Sequence, residues 1–233
     1  MKQRKNSLAF GISLTLLFSL GSLAQAQTYD AAADFNPGTY ASNPNGVWRY
    51  GYTTTLGGSF IQHTESGYDP LGVQFWRTNM SSGAPNFEKN ISGTTVFGWW
   101  QPGQISLHGG PSGQFSVLRF TAPSTGNYDI STTYFNGNVG DTDIYLLRNG
   151  ATIASDLSTN GGGVLSFNSL LLNANDTIDV ALGNGGDGFT SDGTPLSHTI
   201  TVSTAAPEPG TLVLLSLGTF GAVVLRRTKG DLS

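Results

Sequence analysis

The stretch DIYLLRNGATIAS, from Asp143 to Ser155, reads as two short strands joined by Asn149-Gly150. Both residues of that pair tolerate positive φ, which makes the dipeptide the strongest short-range hairpin signal. The same grammar recurs on either side. Tyr128, Ile130, Thr132 and Tyr134 alternate with Asp129, Ser131 and Thr133. Ile178, Val180 and Leu182 alternate with Thr177, Asp179 and Ala181, and His198 to Val202 repeats the pattern. A period of two, bounded by turn residues, marks half-buried strands. Turn clusters at 149–150, 160–163 and 173–176 keep the roughly 8–12-residue spacing of sandwich proteins, and another at 123–126 precedes them. No central stretch carries a sustained 3.6-residue apolar period. The expectation is all-β: a single antiparallel β-sandwich or jelly roll.

The first half of the domain, 28–113, is richer in aromatics and less regular. GVWRYGYTTT, from Gly46, reads as an opening strand, and VFGWWQPGQISLHGG, from Val96, as another with a turn behind it. Both are expected to join the same sandwich.

Charge and cysteine content narrow the function. Between Gln27 and Ala206 there are five basic and thirteen acidic residues, a net charge of −8. Such a surface repels phosphate backbones and anionic lipid, which excludes nucleic acid as a partner. The absence of cysteine excludes a disulfide framework, a thiolate nucleophile and Cys-based metal sites.

Both ends read as processing segments. Lys2, Arg4 and Lys5 precede an apolar run from Leu8 to Leu20, and Ala24-Gln25-Ala26 follows as a small-residue cleavage site. Residues 1–26 are therefore expected to be a secretory signal peptide and helix. Residues 27–204 form the expected sandwich domain, and 205–233 a tail with a short transmembrane helix at 211–225. Fifteen helical residues span roughly 22 Å, less than the hydrocarbon layer of about 30 Å. The segment suits a transient stop, with Arg226, Arg227 and Lys229 held on the cytoplasmic side of the inner membrane.

The triplet Pro207-Glu208-Pro209, the apolar segment after it and the Arg226-Arg227 cluster resemble the PEP-CTERM sorting signal of Gram-negative bacteria. That resemblance implies an exosortase, a membrane protease or transpeptidase, as partner. It also implies export across the inner membrane, in organisms that typically make extracellular polysaccharide. Two prolines stiffen the chain and remove two backbone donors, which makes a distinctive handle at the membrane surface. In the domain, FSVLRFTAPSTGNYDIS, IYLLRNG and NDTIDVALGNGGDGFTSDGTPLSHTITV resemble a jelly-roll module of secreted and cell-surface bacterial proteins, similar to carbohydrate-binding folds.

Several residue sets invite chemistry. GNGGDG at 183–188 satisfies G-x-G-x-x-G, but Phe189 to Pro195 cannot open a helix, so no pyrophosphate site follows. Asp187 and Asp192 lie in that loop, and Asp141 and Asp143 in another. Hard oxygen ligands on Gly-rich loops suit calcium, the one candidate cofactor, although no EF-hand spacing is present. Trp48, Trp99 and Trp100 are the candidate glycan-stacking residues, since sugars stack on exposed aromatic faces. Adjacent Trp99 and Trp100, if on a strand, point to opposite faces. His63, His108 and His198 have no motif around them, and G-x-S-x-G and H-E-x-x-H are absent, so no catalytic residue is assigned.

The expectation is an exported, non-catalytic protein of the cell envelope, cell surface or biofilm matrix, sorted by an exosortase, with extracellular polysaccharide as the candidate ligand. A structural or adhesive protein without a ligand and a secreted polysaccharide hydrolase are the alternatives.

Overall fold

Alternation, hairpin chemistry and buried aromatics together build two antiparallel sheets. The computed structural model describes residues 26–35, 42–78 and 83–203. In chain order the elements are β1 Thr28–Asp30, α1 Ala31–Asp34, β2 Trp48–Thr53, β3 Ile61–Gln62, β4 Glu65–Tyr68, β5 Val73–Arg77 and β6 Asn86–Asn90. There follow β7 Ile105–His108, β8 Phe115–Thr121, β9 Gly126–Tyr134, β10 Ile144–Arg148, β11 Ala151–Asp156, β12 Gly163–Leu172, β13 Thr177–Leu182 and β14 Thr194–Val202. One sheet runs β12-β9-β14-β7-β6-β5-β4, with β1 also paired to β14; the other runs β11-β10-β13-β8-β2-β3. Every strand pairing is antiparallel. Both halves of the sequence contribute to both sheets. The expected terminal helices fall at 1–26 and 211–225, almost wholly outside the described residues. Among those described, no helix is long and apolar enough to cross a membrane.

The hairpin at 143–155 forms as its sequence dictates. Asn149 and Gly150 hold φ of 50° and 81°, and Arg148 pairs with Ala151 across them. On β9, Tyr128, Ile130, Thr132 and Tyr134 all face the core. On β13, Ile178, Val180 and Leu182 do so too, but Asp179 and Ala181 on its other face are also buried. The cause is a cover over the second sheet's outer face. Leu56 and Phe60, from the β2–β3 loop, pack there with Phe115, Tyr145, Val117, Leu147 and Ala181. Beneath them Arg119 grips Asp179 through Nε at 2.7 Å and Nη2 at 2.8 Å, its guanidinium 4.4 Å from the Phe60 ring centroid.

The main core between the sheets is aromatic. Trp48, Phe120, Tyr50, Phe87 and Phe35 interlock there, and Trp48 meets His198 edge-on at 5.6 Å. Fully burying a large apolar side chain contributes roughly 1.5–3 kcal/mol. The single turn of α1 delivers Phe35 to this core. Asp30 Oδ1 caps its start, accepting from Ala32 N and Ala33 N, and Lys89 Nζ donates to Ala32 O and Phe35 O at its end.

Candidate functional site

The outer face of the first sheet carries a polar and aromatic row. On β6 the alternation sends Phe87 inward and Glu88 outward, and on β7 it sends Ile105 and Leu107 inward and Ser106 and His108 outward. Glu88 lies opposite Ser106 on one side and Phe75 on the other, and cross-strand partners share a face. Residues 91–104, between β6 and β7, then fold back over this row.

The strand expected at VFGWW, 96–100, is instead a tight turn. Val96 and Trp100 exchange backbone hydrogen bonds of 2.9 and 3.0 Å, and Phe97 and Gly98 adopt φ of 51° and 79°. The two tryptophans therefore do not point to opposite faces. Their rings stack with centroids 5.9 Å apart and planes 10° from parallel, and Phe97 continues the stack 6.1 Å beyond Trp99. Trp100 anchors the turn by packing with Val73 and Val96, its Nε1 donating to Gln104 O. Asn90, fully buried, donates from Nδ2 to the carbonyls of Thr94 and Trp100. The outcome is a graded stack: Trp100 is 1% exposed, Trp99 is partly open, and Phe97 is 65% exposed.

Glu88, Phe97, Trp99, Trp100, Ser106 and His108 line a cavity of about 230 Å³, closed on its far side by Asn138, Ser191 and Gly193. Trp99 lies so close over Gly193 that a Cβ there would sit 2.9 Å from Cη2 of the indole. Desolvation, with a smaller push from Asp69 and against the pull of Arg77, raises the Glu88 carboxyl to about 7. Its Oε1 accepts from Asn86 Nδ2 at 2.9 Å. His108 is lowered by desolvation, opposed by its contact with Gly109 O at 2.8 Å, in which ring Nδ1–H donates. At neutral pH the cavity thus offers an uncharged imidazole and a carboxyl that titrates near neutrality, beside aromatic faces.

Of the candidate stacking residues, Trp99 and Trp100 both line this cavity, and of the two it is Trp99 that is partly open. Trp48 is 1% exposed, with Nε1 donating to Asp34 Oδ2 at 2.8 Å, and Trp100 is the anchor, so neither offers a platform. Phe97, Glu88, His108 and Asn138 join the site without having been expected there. The signal for Phe97 was its place in an F-G turn, and for Glu88 the alternation of NFEKN. The histidines do not meet: His63 stacks on Tyr52, and His198 is buried with Nδ1 on Thr132 Oγ1.

The two loops that carry the four aspartates do meet. The β9–β10 loop, carrying Asp141 and Asp143, lies against the β13–β14 loop, carrying Asp187 and Asp192. Asp141 N donates to Asp187 Oδ2 at 3.4 Å, and Gly185 N to Asp143 Oδ1 at 3.0 Å. Asp141 Oδ1 accepts from Ser158, and Asp143 Oδ2 from the Tyr145 hydroxyl. Among the described residues, no three carboxylate or imidazole side chains converge closely enough to hold a metal ion by themselves.

The tail decides the protein's destination. Residues 205–227 match the model of the PEP-CTERM protein-sorting motif. The chain carries a PEP-CTERM tail. That motif indicates export and exosortase processing at a bacterial surface. Pro207, Glu208, Pro209, Arg226 and Arg227 all fall within the match, and all lie outside the described residues. No curated protein matches the chain.

Among the solved structures to which this chain is similar are a mannanase that carries a carbohydrate-binding module and two carbohydrate-binding modules. Likeness to the Podospora anserina GH26-CBM35 β-(1,4)-mannanase is 20% identity and TM-score 0.33, over 49% of this chain and 25% of that one. For a family 35 carbohydrate binding module from Clostridium thermocellum the values are 17% and 0.27, over 57% and 89%. For TmCBM61 in complex with β-1,4-galactotriose they are 11% and 0.34, over 60% and 88%. The chain thus spans a quarter of the mannanase's length, and likeness at this level concerns the sandwich architecture alone.

Proposed function

We propose that this protein is a non-catalytic glycan-binding component of the cell surface or extracellular matrix of a Gram-negative bacterium. An exosortase at the inner membrane processes its tail, and extracellular polysaccharide is the ligand. The carrying observation is the cavity on the outer sheet face, where a pre-stacked Phe97–Trp99–Trp100 turn stands beside Glu88, His108, Asn138 and Ser191. A sugar ring has an apolar face that stacks on an aromatic ring and a rim of hydroxyls that hydrogen-bond. A mostly apolar concavity with a few convergent polar groups suits it.

Two features support binding over hydrolysis. Glu88 is the one carboxylate among the lining residues, whereas most glycoside hydrolases place two carboxyl groups across the scissile bond. Phe97 keeps a positive φ, a backbone strain on the order of 1–3 kcal/mol, and thereby stands 65% exposed over the cavity mouth. A stack held ready in this way loses little freedom when a ligand arrives.

The test is affinity electrophoresis of the full chain in gels containing the producing bacterium's own exopolysaccharide, alongside a panel of neutral and charged polysaccharides. Trp99→Ala should weaken binding on the order of tenfold, about 1.4 kcal/mol, and Phe97→Ala somewhat less. Binding that ignores both substitutions would overturn the assignment of this cavity. No binding to any polysaccharide would leave a structural or adhesive surface protein.

A further inference from the structure

Asp192 is 1% exposed, and neither of its carboxylate oxygens has a hydrogen-bond partner. Its neighbours add to the cost of ionising it. Burial first, then Asp187 and Asp143, raise its carboxyl to about 7, and no cation opposes them. The ion pairs among the described residues, Arg119–Asp179 and Arg148–Asp176, lie elsewhere. In its ionised form, a buried carboxylate near two others, with no donor of its own, costs several kcal/mol unless a proton or a bound cation neutralises it.

We propose that the β9–β10 and β13–β14 loops form a binding site for a calcium-class divalent cation, with the Asp192 carboxylate as its anchoring ligand. The donor chemistry selects the ion. Thiolates are absent from the chain, and the described residues bring no three carboxylate or imidazole side chains to one point. The remaining ligands must therefore be main-chain carbonyls, water and at most one further carboxylate. Calcium accepts 6–8 such oxygens in irregular geometry, whereas zinc prefers nitrogen and sulfur.

The loops are shaped for close approach to Asp192. A Cβ on Gly140 would lie 2.4 Å from Asp192 Oδ1 and 2.8 Å from Ser191 O, so only glycine leaves the carboxylate its place. Gly140 N donates to Ser191 O at 3.2 Å and Asn138 N to Gly193 O at 3.1 Å, which fastens the two loops on either side of it. The same loops carry Asn138, Ser191 and Gly193 into the glycan cavity, so the ion would brace that wall. The inference does not depend on the glycan reading.

The experiment is calcium titration calorimetry and thermal unfolding of the full chain after dialysis against EDTA, with CaCl2 as the probe. One ion should bind, and at free calcium about one hundred times Kd the midpoint should rise by roughly 5–10 °C. Asp192→Asn should fold, melt in EDTA at or above the wild type because the buried charge is gone, and bind calcium at least tenfold more weakly. Asp187→Asn, at an exposed position, should weaken the ion several-fold and serves if the first variant does not fold. Absence of heat and of any midpoint shift in the wild type would overturn the proposal. So would calcium affinity unchanged in the variants.

Discussion

Replacing Glu88 by glutamine should stabilise the protein, and only above a definite pH. The carboxyl sits at about 7 in the fold against an ordinary 4.5, chiefly through desolvation. Below pH 4.5 the group is protonated in both folded and unfolded chains and contributes no pH dependence. Between 4.5 and 7 the folded chain holds a proton that the unfolded chain has released, so stability falls as pH rises. Above 7 the loss is complete. At about 1.4 kcal/mol per pH unit, and discounted because the residue is partly exposed, it reaches about 2–3 kcal/mol. The amide that Glu88→Gln introduces would keep an acceptor for Asn86 Nδ2 and carry no charge. The variant should match the wild type near pH 4 and exceed it by about 2–3 kcal/mol at pH 8, or roughly 5–10 °C in melting temperature. Urea unfolding of both proteins at several pH values reads the difference directly, and every other titrating group cancels. A difference constant from pH 4 to pH 8 would refute the account of Glu88.

Gly193→Ala places a Cβ 2.9 Å from Cη2 of Trp99. It should displace the indole and weaken glycan binding by roughly tenfold, with an unchanged circular dichroism spectrum. In the Arg119–Asp179 pair the side chains are 20% and 4% exposed, so Arg119→Met strands the more buried charge. It should cost about 3 kcal/mol in urea unfolding, more than Asp179→Asn, which leaves an arginine able to reach water. Gly150→Ala forces a side chain into φ of 81° and 3.0 Å from Gly57 O, for a loss of about 1–2 kcal/mol by thermal unfolding. Burial lowers His198 to about 3, so its contribution is intact above 6.5 and is lost as pH falls toward 3. His198→Phe should flatten the acid limb of a stability–pH profile by about one proton.

How far the fold could be read depended on whether one face or two was buried. β9 alternates cleanly because water lies on its other side, so Tyr128 to Tyr134 announced both strand and inward face. β13 alternates in composition too, yet Asp179 and Ala181 are buried, because Phe60 and Leu56 arrive from a loop more than a hundred residues earlier. No local pattern encodes that cover. The Trp99-Trp100 pair failed for a related reason. Its orientation follows from positive φ at Phe97 and Gly98, and a strand assumption inverts it. The two loops that carry the aspartates were legible because short, glycine-rich segments advertise themselves by composition. What composition withheld was which carboxylate is buried, a property of Asp192's contact with Gly140 across the two loops.

The position of the cavity follows from the topology of β14. Its first residues, Thr194 to Leu196, pair with β7, while Thr199 to Thr201 pair with β1 on the same side. Gly193 therefore stands just before Thr194, the partner of Leu107, at the place where the aromatic turn between β6 and β7 folds back. The other edge of β14 pairs with β9 along Leu196 to Val202, which sends the β9–β10 loop to the same end. Three segments distant in sequence thus meet over one outward row of side chains, each fixed by strand pairing at its root. A site assembled this way exists only in the folded sandwich. Its rigidity rests on the Asn90 side chain's hydrogen bonds to backbone carbonyls and on backbone hydrogen bonds between the two loops, and much less on the exposed rings themselves. Loosening the loops should therefore weaken ligand binding even where no contacting side chain changes, and chelator sensitivity of glycan affinity would show that directly.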